Sequence, residues 1–156
     1  MILLRQGKIG LTHNKKVIIL KPSPSPTWTF FDFAYLSGGT PISDWYNGLS
    51  ERGQNIVNGL LKANHKIQNP MNWMGFRKYL KGQQKGIWEL GFYAEDRQYR
   101  LLGVFNGEKR AVFLMGCYHK SGNYTPPDAM YTALKRKNLL AKGECTLHER
   151  PIKFDQ

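Results

Sequence analysis

Five side chains in the second half of the chain have the types needed for phosphate chemistry and proton transfer: Arg97, Arg100, His119, Lys120 and Tyr124. Lys81, Lys85 and Tyr99 stand near them in sequence. Cleavage of RNA by its own 2′-hydroxyl needs a group to take the hydroxyl proton, cations to steady charge on the phosphorane oxygens, and an acid for the leaving 5′-oxygen. An unperturbed imidazole titrates near ~6.5 and is the natural proton carrier at neutral pH. The bland alternative is a solvated rim of cations with no common site. What separates the two is whether the strands bring the five together.

Three strands must do that work. Ile87–Tyr93 (IWELGFY), Tyr99–Phe105 (YRLLGVF) and Ala111–Tyr118 (AVFLMGCY) are apolar and aromatic, and polar turns join them. Asn106-Gly107 in the second turn is a strong hairpin signal. Antiparallel pairing across it brings Arg100 opposite a residue two or three positions from His119, with Arg97 in the loop just before. Basic residues lie at the edges of this meander: Arg97, Arg100, Lys109, Arg110 and Lys120. With Lys81, Lys85, Lys135 and Arg136, they form the wider cationic surface that an RNA backbone would follow.

The remaining chain supplies the elements around the meander. MILL and VIIL, two short apolar runs in residues 1–21, predict a hairpin or a pair of edge strands, with a loosely attached arm as the alternative and His13-Asn14 in the turn. Lys21-Pro-Ser-Pro-Ser-Pro26 imposes an extended path, so residues 1–26 read as an appendage and residues 27–156 as the main domain. Thr27–Tyr35 has strand composition, with Trp28, Phe30, Asp32 and Ala34 on one face and Asp32 near an edge. Ser50 is an N-cap for a helix whose apolar stripe is Gly53, Ile56, Val57, Leu60 and Leu61. Pro41–Leu49 is a short helical piece, and Phe76–Leu80 a short strand. Thr125-Pro126, with Asp128 three residues after the cap, predicts the start of a last helix that Gly143 stops. The tail from Glu144 is polar except around Ile152 and Phe154. The expected fold is α+β: a curved antiparallel sheet of four to five strands, packed by two or three helices on one side.

Composition narrows the partners. The chain holds 23 Lys+Arg against 11 Asp+Glu, a formal charge of +12, which favours a polyanion or an acidic protein. No segment joins a long apolar helix face to a basic one or reaches membrane-spanning length, so no membrane partner is expected. No secretory leader is visible in the first residues, and the expected location is cytoplasmic. The four histidines are scattered, no metal-ligand spacing occurs, and no glycine-rich phosphate loop precedes a helix, so neither metal nor cofactor is expected. Cys117, inside an apolar strand, reads as a buried small hydrophobe.

From Ile87 to Arg136 the chain also resembles a known family. Ile87-Trp88-Glu89-Leu90, Tyr99-Arg100, Tyr118-His119-Lys120, Thr125-Pro126 and Ala133 to Arg136 follow the order of motifs in the phage-derived, Gp49-like branch of the RelE/ParE toxin superfamily, which includes the HigB-type toxins. The resemblance spans roughly Thr27 to Lys142. It implies a compact microbial-RNase-like fold and a type II toxin that cleaves mRNA on the ribosome as a metal-independent endoribonuclease. It also implies a cognate antitoxin, with a helix-turn-helix domain, that blocks the basic cleft. On that reading Arg100 and Lys120 contact phosphate, while His119 or Tyr124 transfers the proton. Gly91 stands where the motif has an arginine, which leaves Lys81, Lys85 or Arg97 to supply the charge. His119 replaces the first of two lysines. The superfamily includes members that do not cut RNA, so the alternative is a non-catalytic toxin or phage effector that inhibits a host factor by binding.

Overall fold

The computed structural model describes residues 3–5, 15–17, 26–79 and 86–154. Strands β1 (Leu3–Arg5) and β2 (Lys15–Val17) pair antiparallel with each other, Leu3 opposite Val17, in a two-stranded sheet of their own. The proposed turn at His13-Asn14 and most of the proline-rich segment lie outside the described residues.

The main sheet has seven strands: β3 (Thr29–Ala34), β4 (Phe76–Tyr79), β5 (Trp88–Ala94), β6 (Arg97–Phe105), β7 (Arg110–Lys120), β8 (Asn123–Thr125) and β9 (Thr146–Arg150). Their order is β4-β5-β6-β7-β3-β9, with β8 pairing the far end of β7. Every pair is antiparallel except β3 with β7. The β5–β6–β7 meander forms where the apolar runs predict it, each strand slightly displaced or extended at its ends. Its second turn places Gly107 and Lys109 at positive φ (91° and 58°), and the Asn106 amide donates to the Arg110 carbonyl at 3.0 Å.

Helices cover both faces of this sheet, not one. Helices α1 (Pro41–Asn47) and α2 (Glu51–Asn64) pack on the front, where Ile42, Tyr46, Val57, Leu60 and Leu61 meet Trp88, Leu90, Phe92, Tyr99 and Leu101. Helix α3 (Ala129–Ala141) packs on the back, where Ala129, Met130 and Ala133 meet Leu102, Val104, Val112 and Leu114. The reason is visible in β6, which is buried continuously from Tyr99 to Val104. A strand apolar on both faces needs a layer on each.

Helix α2 starts as predicted, its Ser50 hydroxyl accepting from the Gly53 amide at 3.0 Å. Helix α3 does not start at Thr125. That residue belongs to β8, opposite Tyr118, and helical residues begin only at Ala129, after two prolines that have no N–H to give a ladder. Asp128 stands at the cap position without a side-chain capping bond. Gly143, at φ 70°, follows the helix end as expected.

Asp32 is not near an edge. Strand β3 is flanked by β7 and β9, and Asp32 is buried beneath Arg150 of β9. Arg150 grips it with Nε at 2.9 and 3.0 Å from its two oxygens and Nη2 at 2.5 Å from one of them. The guanidinium also lies over the Tyr46 ring, 4.6 Å from its centroid, so one ion pair joins β3, β9 and α1. Breaking such a pair leaves a charge with reduced solvation and no counter-ion. Asp32→Ala is therefore expected to destabilise the fold by about 3 kcal/mol, read as a lower urea midpoint with an unchanged slope.

Candidate functional site

Strand alternation decides which side chains can meet. Arg100 is opposite Cys117 in β7 and Gly91 in β5, and His119 is opposite Gln98 in β6 and Tyr124 in β8. Glu89, Arg100, Cys117, His119 and Tyr124 therefore share the back face, where Cys117 and Tyr124 adjoin the apolar cluster that α3 packs into. Tyr99 and Tyr118 face the front, and the same alternation puts Arg97 and Lys120 with them. The five chemistry-bearing residues converge on one end of the sheet, but the register divides them between its two sides.

A one-residue bulge sets this division. Leu102 is opposite Met115 and Gly103 is opposite Phe113, so Leu114 is an extra residue in β7. Such an insertion reverses the facing of everything beyond it. Phe113 before the bulge and Gly116 and Tyr118 after it all face the front, which sends His119 to the back.

On the back face Arg100 is 4% exposed, and its Nε lies 3.3 Å from Glu89 Oε1. This approach is an ion pair without hydrogen-bond alignment. The guanidinium also donates to the Tyr99 carbonyl at 3.0 Å and to Gln98 Oε1 at 3.2 Å. The Tyr124 phenol reaches from β8 across β7 and β6 and donates to the second Glu89 oxygen. Its ring meets the His119 ring edge-on, 5.3 Å between centroids at 71°. Burial, then the hydrogen bond and charge of Glu89, pushes the phenol pKa well above its ordinary range. Tyr124 therefore keeps its proton at neutral pH and acts as a donor. Burial also pushes the Cys117 thiol up to about 12, with Glu89 reinforcing the shift and Arg100 opposing it.

At the end of the sheet a cavity of about 200 Å³ is lined by Asp96, Arg97, Tyr118, His119 and Lys120. The Arg97 guanidinium lies 4.4 Å above the Tyr118 ring. His119 thus borders the exposed cations on one side and touches the Tyr124–Glu89–Arg100 cluster on the other. It joins the two halves of the predicted site.

The other predicted RNA-contacting residues lie elsewhere. Lys109 and Arg110 occupy the opposite end of the meander; Arg110 is nine residues along β7 from His119, about 30 Å at strand spacing. Lys109 donates to the Gln68 carbonyl at 3.3 Å, and Arg110 stacks 4.3 Å from the Phe31 centroid. Lys135 is exposed on α3 beside Tyr131. Arg136 does not belong to the cationic surface. It is 9% exposed and donates to the Tyr35 hydroxyl at 2.9 Å and the Leu114 carbonyl at 2.8 Å, pinning α3 to the sheet. Lys81 and Lys85 lie outside the described residues. Glu89 is the participant that sequence reasoning missed. Its signal was a carboxylate between Trp88 and Leu90 in an apolar strand, a placement that demands a buried partner.

Among the described residues no cluster of His, Cys, Asp and Glu could hold a metal ion, and no helix is long and apolar enough to cross a membrane.

The open, mostly antiparallel sheet with its three helices is an α+β architecture, as expected from the sequence. Residues 44–138, well over half of the chain, match the family described as phage-derived protein Gp49-like (DUF891). The chain belongs to that family, which falls within the RelE/HigB-like toxins and makes this a toxin-like protein. Searches of curated proteins and of solved structures returned no match.

The thiol buried in this cluster leaves a pH signature. Cys117 holds its proton up to about 12 when folded, against 9.0 for an unperturbed thiol. The folded state thus binds the proton more tightly. The resulting stability is complete below pH 9.0 and is lost as pH rises towards about 12. Cys117→Ala is expected to flatten the fall in unfolding free energy over that window, measured by urea titration from pH 8 to 11.

Proposed function

We propose that this protein is the toxin of a type II toxin–antitoxin system and a ribosome-dependent endoribonuclease, with RNA crossing the end of the sheet at His119. The observation that carries the reading is the position of that imidazole. It lies between the exposed cations Arg97 and Lys120 and the polar cluster of Tyr124, Glu89 and Arg100.

Of the two groups considered for proton transfer, His119 is the better base, because Tyr124 holds its proton too tightly to accept one at neutral pH. His119 takes the 2′-hydroxyl proton, the 2′-oxygen attacks the adjacent phosphorus, and the 5′-oxygen leaves with a proton taken from water, so that a 2′,3′-cyclic phosphate and a 5′-hydroxyl are the products. Arg97 and Lys120 steady the negative charge on the phosphorane oxygens. Glu89 and Arg100 hold the Tyr124 phenol, and its ring fixes one side of the imidazole. The internal nucleophile makes a metal unnecessary, and the ribosome supplies alignment of the strand. The cognate antitoxin, in this reading, is a helix-turn-helix protein that covers the same basic end.

A second reading, inhibition of a host factor without cleavage, is favoured by one observation. Arg100 is directed inward and its charge is already answered by Glu89. The two readings separate in cells expressing the toxin. Cleavage predicts new mRNA 5′ ends within translated codons by primer extension. His119→Ala is expected to reduce them by about 10²–10⁴-fold and to relieve toxicity while leaving the fold intact. Toxicity without new 5′ ends, or unchanged ends in His119→Ala, would favour the second reading.

A further inference from the structure

Gly91 faces the back of the sheet beside Arg100. A β-carbon built at this glycine would lie 3.0 Å from Arg77 Cδ, 3.0 Å from Arg100 Nη1 and 3.4 Å from Arg100 Cζ. Two arginine side chains therefore cross one bare stretch of backbone. Arg77 reaches it because Phe76 is opposite Leu90 and Lys78 is opposite Glu89, which makes Arg77 the extra residue of a bulge in β4. The two guanidinium groups are in different electrostatic situations. Arg100 is buried and neutralised by Glu89, whereas Arg77 is exposed, with no acidic partner among the described residues.

We propose that Arg77 is a phosphate-binding residue of this toxin, seated by Gly91, and that it grips the backbone of the RNA strand whose cleavage is assigned to His119. The inference rests on the ribonuclease reading and deepens it. Strands β4 and β7 are three spacings apart, about 14 Å. Arg77 therefore holds a phosphate flanking the scissile one and fixes the path of the strand across the back face. The missing side chain at position 91 is part of that site: it leaves the channel through which the Arg77 stem passes. This assigns the motif's absent charge to Arg77 in place of Lys81, Lys85 or Arg97. A planar guanidinium suits the task because it can donate two parallel hydrogen bonds to one phosphate.

The test uses the full-length protein and ribosomes programmed with an mRNA whose A-site codon is 2′-O-methylated, so that binding is read without cleavage. Arg77→Ala is expected to weaken binding by about tenfold, the loss of one charge-assisted contact. Arg77→Lys restores part of it. Gly91→Ala weakens binding, and adding it to Arg77→Ala produces less further loss than it causes alone, because part of its effect passes through Arg77 and only the remainder through Arg100. Wild-type affinity in Arg77→Ala would overturn the proposal. Cleavage of the unmodified mRNA by the wild-type protein on the same ribosomes reports separately on the ribonuclease reading. A wild-type protein that binds no programmed ribosomes would overturn both.

Discussion

A carboxylate held between a guanidinium and a phenol organises the back of this sheet. Glu89 enters from β5, Arg100 from β6 and Tyr124 from β8, so one charged contact and one hydrogen bond tie three strands of the candidate site. Neither Glu89 nor Arg100 could be buried alone, because an unpaired charge in this setting costs several kcal/mol. Their mutual dependence fixes the alignment of the meander. Tyr124, drawn over them, gives His119 a wall to rest against. The position of the imidazole is therefore a consequence of how a buried charge is satisfied two strands away.

The two faces are specialised by what covers them. The front meets two helices and a dense set of rings, including Trp28, Trp73, Trp88 and Phe113. The back meets one helix, which leaves the end near β4 and β5 to polar side chains. Arg136 fastens α3 to the back face through Tyr35 and the Leu114 carbonyl. A basic residue on a helix can thus belong to the core while its neighbour Lys135 remains at the surface.

The meander, helix α2 and the closeness of Arg100 to His119 were legible in the sequence because each rests on local pattern: apolar runs, a capped stripe and a turn signal. Strand β9 was not legible. Thr146–Arg150 has only Leu147 to offer a core, and it joins the sheet through its backbone ladder and the reach of Arg150 to Asp32, which is distant in sequence. Strand β8 was hidden by its length and by prolines that imitate a helix start. Which of His119 and Lys120 would share a face with Arg100 was also hidden. It depends on the bulge at Leu114, and nothing in the run FLMGC distinguishes a bulged strand from a regular one.

That same irregularity constrains how the gene can change. Loss of the single codon for residue 114 would preserve the reading frame and the apolar character of the strand. Because residue 114 is the extra one, its loss would straighten the strand and leave every residue from Met115 to the turn on its present side, with His119 still opposite Gln98. Point substitutions can vary this end of the molecule gradually. A deletion beyond Met115 that kept the bulge would instead bring Lys120 opposite Gln98, so the unpaired residue 114 is the place in this run where length can change by one without moving the imidazole.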